Sequence, residues 1–219
     1  MLTALLDAVA ADLGFLARPP MFFGAAVLPL YIDRTDMFDG GFRPTEDVDV
    51  VVSLAVGTER QGTVPEMEAS LRRHGFTDDL RAGRRNMHAF VSPSGIPVDI
   101  VIDALVADTD WALRSRESAR AVVLETGRQI RIPTAAYYLA CKIAASRNRE
   151  RWEGDYYCHD LEDIALLLCG RTGLAEECRH AENVLAGYLG GWALEVTARS
   201  TAYGSDAHSV LMSNVPEVG

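Results

Sequence analysis

The run from Val48 to Leu54, Val-Asp-Val-Val-Val-Ser-Leu, constrains this chain more than any other stretch. Its β-branched density and its length of about seven residues predict a strand buried in a sheet. Residues two apart on a strand project from one face, so Asp47 and Asp49 share a face while Val48, Val50 and Val52 share the other. Two carboxylates are thereby delivered to one spot. Neighbouring anions repel unless a cation lies between them, and hard oxygen donors at a strand edge suit Mg²⁺ or Mn²⁺. Taken alone, the same pair also reads as solvated turn residues that open a strand.

A third carboxylate extends the pattern. Ile96-Pro97-Val98-Asp99-Ile100-Val101-Ile102-Asp103 is a second apolar strand, and an acid inside such a run is costly unless it is paired or bound to metal. Asp103 points the same way as Asp99 but lies about 13 Å further on at roughly 3.3 Å per residue, so only one of the two reaches the same ions. Asp99, inside the strand, is the expected one. Three carboxylates from two strands form the arrangement that holds two metal ions across an attacking and a leaving oxygen in phosphoryl or nucleotidyl transfer.

Around these strands the chain divides in two. Leu2, Leu5, Leu6, Val9 and Leu13 form one stripe of a surface helix. Met21 to Ala25 predicts a short strand, followed by a helix that starts at Gly24 and runs through Tyr31. The stretch from Asp33 to Thr45 reads as an exposed loop, Val64 to His74 as a helix, Asn86 to Ile102 as a hairpin turning at Pro93-Ser94-Gly95, and Ala121 to Ile132 as one or two strands. Beyond them the sequence turns Ala/Leu-rich. Pro133 suits the first turn of a helix reaching about Arg149. Further helices are expected over Asp155 to Leu168 with Gly170 as the stop, over Ala175 to Leu189, and over Trp192 to about Ala202, with little pattern after Ser205. The expected fold class is α+β, a mixed sheet with flanking helices over residues 1–130 and a helical C-terminal lobe over 131–219.

With 219 residues, 48% of them apolar, the chain can bury a sizeable core. Its 21 basic against 31 acidic residues leave a formal charge of −10, which disfavours general affinity for phosphate backbones or anionic membranes. No run is long and apolar enough for a spanning helix, and the N-terminus lacks the basic lead of a secretory signal, so a soluble cytoplasmic protein is expected. Cys141, Cys158, Cys169 and Cys178 form no C-x-x-C pair and read as reduced, mostly buried thiols.

Gly24-Ala25, then Arg43-x-Thr45-x-Asp47-Val48-Asp49, then Asp99 on a later strand, resembles the DNA polymerase beta-like nucleotidyltransferase superfamily. The form R-x-T-x-D-V-D followed by Lys142, Arg147, Arg149 and then Asp160-Leu161-Glu162-Asp163 looks more narrowly like the AbiEii/MenT-type toxins of abortive-infection and toxin–antitoxin systems. The resemblance covers residues 22 to 168. It implies a metal-dependent enzyme that moves a nucleoside monophosphate from an NTP to a tRNA or protein acceptor, with a cognate antitoxin as partner and no membrane association. Asp47, Asp49 and Asp99 would hold Mg²⁺ or Mn²⁺. Asp47, Asp49, Asp99, Lys142 and Asp160 would be catalytic, and Gly24, Ala25, Arg43, Thr45, Lys142 and Asp163 would bind the nucleotide. One departure stands out: Ala25 replaces the Gly or Ser usual at that place, leaving only backbone N–H groups for phosphate.

Lys142 has separate support, because the chain contains 20 Arg and this one Lys. A compact ammonium reaches a phosphate as a point charge where a guanidinium presents a flat fork. Asp160 and Asp163 share a helix face and either orient Lys142 or a nearby Arg, assist acceptor deprotonation, or simply sit near the helix's positive end. Arg43 either contacts phosphate or base, or pairs with Glu46 or Asp47. Tyr137, Tyr138 and Trp152 read as core or as base-stacking rings. His159-Asp160 spells the HD pair of metal phosphohydrolases, for which the five histidines of the chain are too few. Arg81, Arg84 and Arg85, with Arg147, Arg149 and Arg151, are the clusters able to flank a cleft. The competing expectation is a catalytically inactive nucleotide-binding or protein-interaction module with the same fold.

Overall fold

The computed structural model describes residues 2–34, 42–53, 55–56, 60–61, 63–80, 89–102, 111–153 and 159–202. In chain order the elements are α1 (Leu2–Asp12), β1 (Met21–Phe23), a 3₁₀ helix (Ala25–Leu30), β2 (Val48–Val52), β3 (Ala55–Val56), β4 (Arg60–Gln61), α2 (Val64–Arg73), β5 (Thr77–Asp78), β6 (Ala89–Val91) and β7 (Pro97–Ile102). They continue with α3 (Trp111–Arg114), β8 (Arg120–Val123), β9 (Gln129–Ile132), α4 (Ala135–Glu153), α5 (His159–Gly170), α6 (Leu174–Arg179) and α7 (Asn183–Ala202).

Seven strands form one mixed sheet in the order β5-β6-β7-β2-β1-β9-β8, and β3 pairs with β4 in a separate ribbon. β2 lies parallel to β7 and antiparallel to β1, while β1 runs parallel to β9. The valine-rich sequence of β2 explains its central place: Val48, Val50, Val51 and Val52 are all buried. Register sorts the two faces. Phe22 pairs with Val50, Val50 with Ile100 and Phe90 with Val98, and all of these join Leu6, Val9 and Leu13 of the N-terminal segment and Met67 and Leu71 of α2 in one core. The opposite face therefore carries Asp49 and Asp99, as the period-two alternation predicts.

Local chemistry sets the helix ends. Thr63 accepts from the Glu66 N–H while the Glu66 side chain accepts from the Thr63 N–H, a capping box that starts α2. The β6–β7 hairpin turns where expected, closed by Ser92 N–H donating to the Ile96 carbonyl. Pro133 is displaced from its expected role: the first helical residue is Ala135, and the Thr134 carbonyl accepts the first helical bond from Tyr138. Pro133 instead offers its carbonyl to the Tyr31 hydroxyl at 2.9 Å.

The C-terminal helices also depart from expectation. Gly190 and Gly191 read as a break, yet both lie inside α7, and the break falls at residues 180–182. Each glycine costs a helix about 1 kcal/mol relative to alanine. Buried Leu185 and Leu189, which join the common core, outweigh that penalty. The 130/131 division runs through β9, and α4 contributes Ala135 to Ala140 to the core that also holds the sheet. Among the described residues, no helix is long and apolar enough to cross a membrane.

Candidate active site

The parallel pairing of β2 with β7 sets Asp49 directly beside Asp99. Paired residues of adjacent strands share a face, so the two carboxyls neighbour each other on the side of the sheet away from the valine core. Asp47 lies just ahead of β2, exposed, and the Thr45 hydroxyl donates to its Oδ1 at 2.9 Å. Thr45 thus orients an acid.

β1 supplies the other wall. It ends at Phe23, opposite Asp49, and Gly24 then opens the 3₁₀ helix with φ at +72°. A β-carbon on Gly24 would stand 1.7 Å from Asp49 Oδ2, so the backbone here runs hard against the carboxylate. Ala25 is the first residue of the 3₁₀ helix.

Crowding of this kind has an electrostatic result. Burial pushes the Asp49 carboxyl up from its ordinary 3.8 to about 7, the Asp47 and Asp99 charges push the same way, and Lys142 opposes them.

Lys142 comes from α4, which packs against α5. Tyr138, Lys142 and Arg149 lie at spacings of four and seven on α4, and Asp160 and Asp163 three apart on α5, so each set shares a helix face. The Lys142 ammonium lies 2.6 Å from Asp163 Oδ2 and 3.0 Å from Asp160 Oδ1. Arg149 Nε donates to the other Asp160 oxygen at 2.9 Å. Burial alone would lower the Lys142 pKa, but Asp163 and Asp160 together raise it, so the ammonium is firmly charged. With side-chain exposures of 12% for Lys142, 6% for Asp160 and 3% for Asp163, this is a buried ion cluster.

Arg43 joins the cluster from the loop before β2. Its guanidinium lies 3.8 Å from Asp163 Oδ1 and 3.7 Å from Glu162 Oε2, and neither Glu46 nor Asp47 is its partner. Of the alternatives expected for Arg43, pairing with Glu46 or Asp47 does not occur, and nothing local in the sequence signals that Arg43 reaches α5.

The remaining candidates separate. Tyr137 and Tyr138 are buried, the former with its hydroxyl on Glu182 at 2.7 Å, so both belong to the core. His159 is exposed and pairs with Glu162, and Asp160 is engaged by Lys142 and Arg149, which removes the HD arrangement. Arg147 is engaged too, with Glu195 at 2.5 Å. Arg81, Arg84, Arg85 and Asp103, together with the Arg151 and Trp152 side chains, lie outside the described residues. Among the described residues, no group of three or more His, Cys, Asp and Glu side chains already converges in an arrangement that could hold a metal ion.

No protein-family profile and no curated protein matches this chain. Among solved structures, the chain is similar to an antigenic nucleotidyltransferase-like protein from Paracoccidioides brasiliensis, with a TM-score of 0.56 and 18% identity over 92% of this chain and 91% of that one. The seven-stranded mixed sheet with its helices is thus a nucleotidyltransferase-like fold.

Proposed function

We propose that this protein is a metal-dependent nucleotidyltransferase that moves a nucleoside monophosphate from an NTP to a tRNA or protein acceptor, as the toxin of a toxin–antitoxin or abortive-infection system. The observation that carries the reading is the in-register pair Asp49 and Asp99, with Asp47 ahead of it on the same strand line and Lys142 acting on Asp49 from α4. Similarity of fold to a nucleotidyltransferase-like protein supports it.

Asp47, Asp49 and Asp99 would hold Mg²⁺ or Mn²⁺. The donor chemistry suits such ions, three carboxylates being hard oxygen ligands whose mutual repulsion, felt at Asp49, a divalent cation relieves. The three would have to draw together around the ion, since among the described residues no such group already converges. When bound, such ions supply charge neutralisation at the triphosphate and at the attacking oxygen. Asp99 takes the acceptor's proton as the acceptor oxygen bonds to the α-phosphorus and the bond to pyrophosphate breaks. Lys142 and Arg43 hold the triphosphate, Gly24 and Ala25 offer it backbone N–H groups, and Thr45 fixes Asp47. Asp160 and Asp163 orient the two cations.

A second reading, an inactive nucleotide-binding or protein-interaction module, is favoured by one observation: Lys142 is already held by two carboxylates. Labelled NTPs with Mg²⁺ or Mn²⁺ and tRNA or cell extract separate the two. Label transfer by the parent and none by Asp49→Asn supports the enzyme; binding without transfer leaves the module.

A further inference from the structure

Two tyrosines pack against each other in the core, their rings tilted at 39° with centroids 4.8 Å apart, and they differ in one respect. The Tyr31 hydroxyl donates to the Pro133 carbonyl at 2.9 Å. The Tyr138 hydroxyl, on a residue only 1% exposed, has no hydrogen-bond partner among the described residues. A buried hydroxyl without a partner weakens a fold, and phenylalanine would fill the same space without that cost. Packing therefore accounts for the ring of Tyr138 and leaves its hydroxyl unexplained.

The same region holds a complementary orphan. Asp163 Oδ2 is buried and lacks a hydrogen bond of proper geometry among the described residues; what it has is the Lys142 ammonium at 2.6 Å. Tyr138 sits one helical turn before Lys142, whose ammonium lies 5.8 Å from the centre of the tyrosine ring. Burial raises the Tyr138 phenol well above its ordinary value, and of the charges that add to this Asp163 acts most strongly, ahead of Asp160 and Asp49. The phenol is thus a held proton, a donor and never a charge.

An ammonium clamped by two carboxylates cannot serve a triphosphate without loosening from them, and Asp163 Oδ2 would then be a buried anion with its cation withdrawn. We propose that Tyr138 is a positioning residue for nucleotide binding: its unpartnered hydroxyl takes over Asp163 when Lys142 turns from that carboxylate to the triphosphate. This rests on the reading of Lys142 as a triphosphate ligand. The hydroxyl is then unsatisfied only while the nucleotide is absent, which gives a phenol a use where phenylalanine would pack equally well.

Calorimetric titration of the full chain with a non-hydrolysable NTP and Mg²⁺, alongside thermal melts without nucleotide, tests this in five proteins: parent, Tyr138→Phe, Asp163→Asn, the double variant of these two, and Lys142→Ala. Tyr138→Phe is expected to melt at or above the parent without nucleotide and to bind NTP about tenfold more weakly, the worth of a hydrogen bond to a charged group. In the Asp163→Asn background the same change should no longer weaken binding, since the group it serves is gone. Equal affinity of parent and Tyr138→Phe overturns the proposal while leaving the site assignment intact, and so does a tenfold loss that persists in the Asp163→Asn background. A parent that binds no NTP, or that binds it equally well as Lys142→Ala, overturns the reading of Lys142 itself and the proposal with it.

Discussion

Gly24 and Asp49 are in such close apposition that a single added carbon on the glycine would stand 1.7 Å from the aspartate's Oδ2. β1 and β2 are neighbours with Phe23 opposite Asp49, so the chain can turn into the 3₁₀ helix only by passing over that carboxylate. Gly24→Ala is expected to be destabilised twice, by the contact and by its backbone, whose φ of +72° with ψ of −165° is a region essentially confined to glycine and worth about 1–3 kcal/mol. Denaturant midpoints of Gly24→Ala, Asp49→Ala and the double variant check this. The double variant should recover part of the stability lost by Gly24→Ala; strict additivity would show that the contact is not what excludes a side chain.

Asp49 predicts a pH dependence with a definite sign. Its carboxyl is raised from 3.8 to about 7, so folding favours the protonated form. That contribution is whole below about pH 4 and is lost as the pH rises through about 7, a change on the order of a few kcal/mol. Urea unfolding of metal-free protein at pH 5 and pH 8 should show the parent losing this stability and Asp49→Asn not losing it. At pH 8, Asp49→Asn should match or exceed the parent. An Asn variant that melts far below the parent at both pH values would make Asp49 structural.

Added Mg²⁺ or Mn²⁺ should stabilise the parent more at pH 8 than at pH 5, because the cation competes with the proton for the same carboxylates. Asp47→Asn and Asp99→Asn should each reduce the effect and abolish label transfer. A metal-induced shift in melting temperature that is unaltered in both variants would move the metal elsewhere.

Lys142→Met leaves two buried carboxylates facing Arg149 and Arg43 alone, and is expected to cost about 3–5 kcal/mol of stability. Lys142→Arg should preserve most of that stability, since it keeps a cation beside Asp163 and Asp160, but weaken NTP binding, since a flat fork does not reach a phosphate as a compact ammonium does. Chemical denaturation and calorimetry read the two effects separately. Parent-like NTP affinity in Lys142→Arg would confine the lysine to structure.

If the acceptor is RNA, its binding should depend only shallowly on salt, releasing about two to four counterions. The net charge of −10 opposes RNA overall, and two of the cations that could flank the cleft are engaged, Arg147 by Glu195 and Arg149 by Asp160. A slope corresponding to eight or more contacts in filter binding would require a basic surface other than these.

What the sequence made legible follows from where the physics is local. The β2 alternation, the part of the hairpin described over residues 89–102, and Leu6 and Val9 of the α1 stripe are read from periods of two and 3.6 and hold in the structure, while residues 86–88 and the Leu2 side chain lie outside the described residues. The neighbouring of Asp49 and Asp99 could be anticipated because both are acids within apolar strands. Arg43 on Asp163, the orphan Tyr138 hydroxyl and the pressure of Gly24 on Asp49 could not, because each depends on the docking of segments distant in sequence. The α6–α7 break was misplaced for a related reason: a Gly-Gly pair is a local signal, whereas the burial of Leu185 and Leu189 is a tertiary one.

The β2–β7 register also governs when, during its own synthesis, the chain becomes competent. Asp49 meets Asp99 only after the ribosome has delivered β7, and Lys142 meets Asp163 only after α5 has emerged. Pairings of such separation form late, since loop closure precedes the contacts that reward it. A nascent or truncated chain that ends before α5 carries the β2 acids without the Lys142–Asp163 pair, so the acidic and cationic halves of the candidate site come together only once α5 has been made.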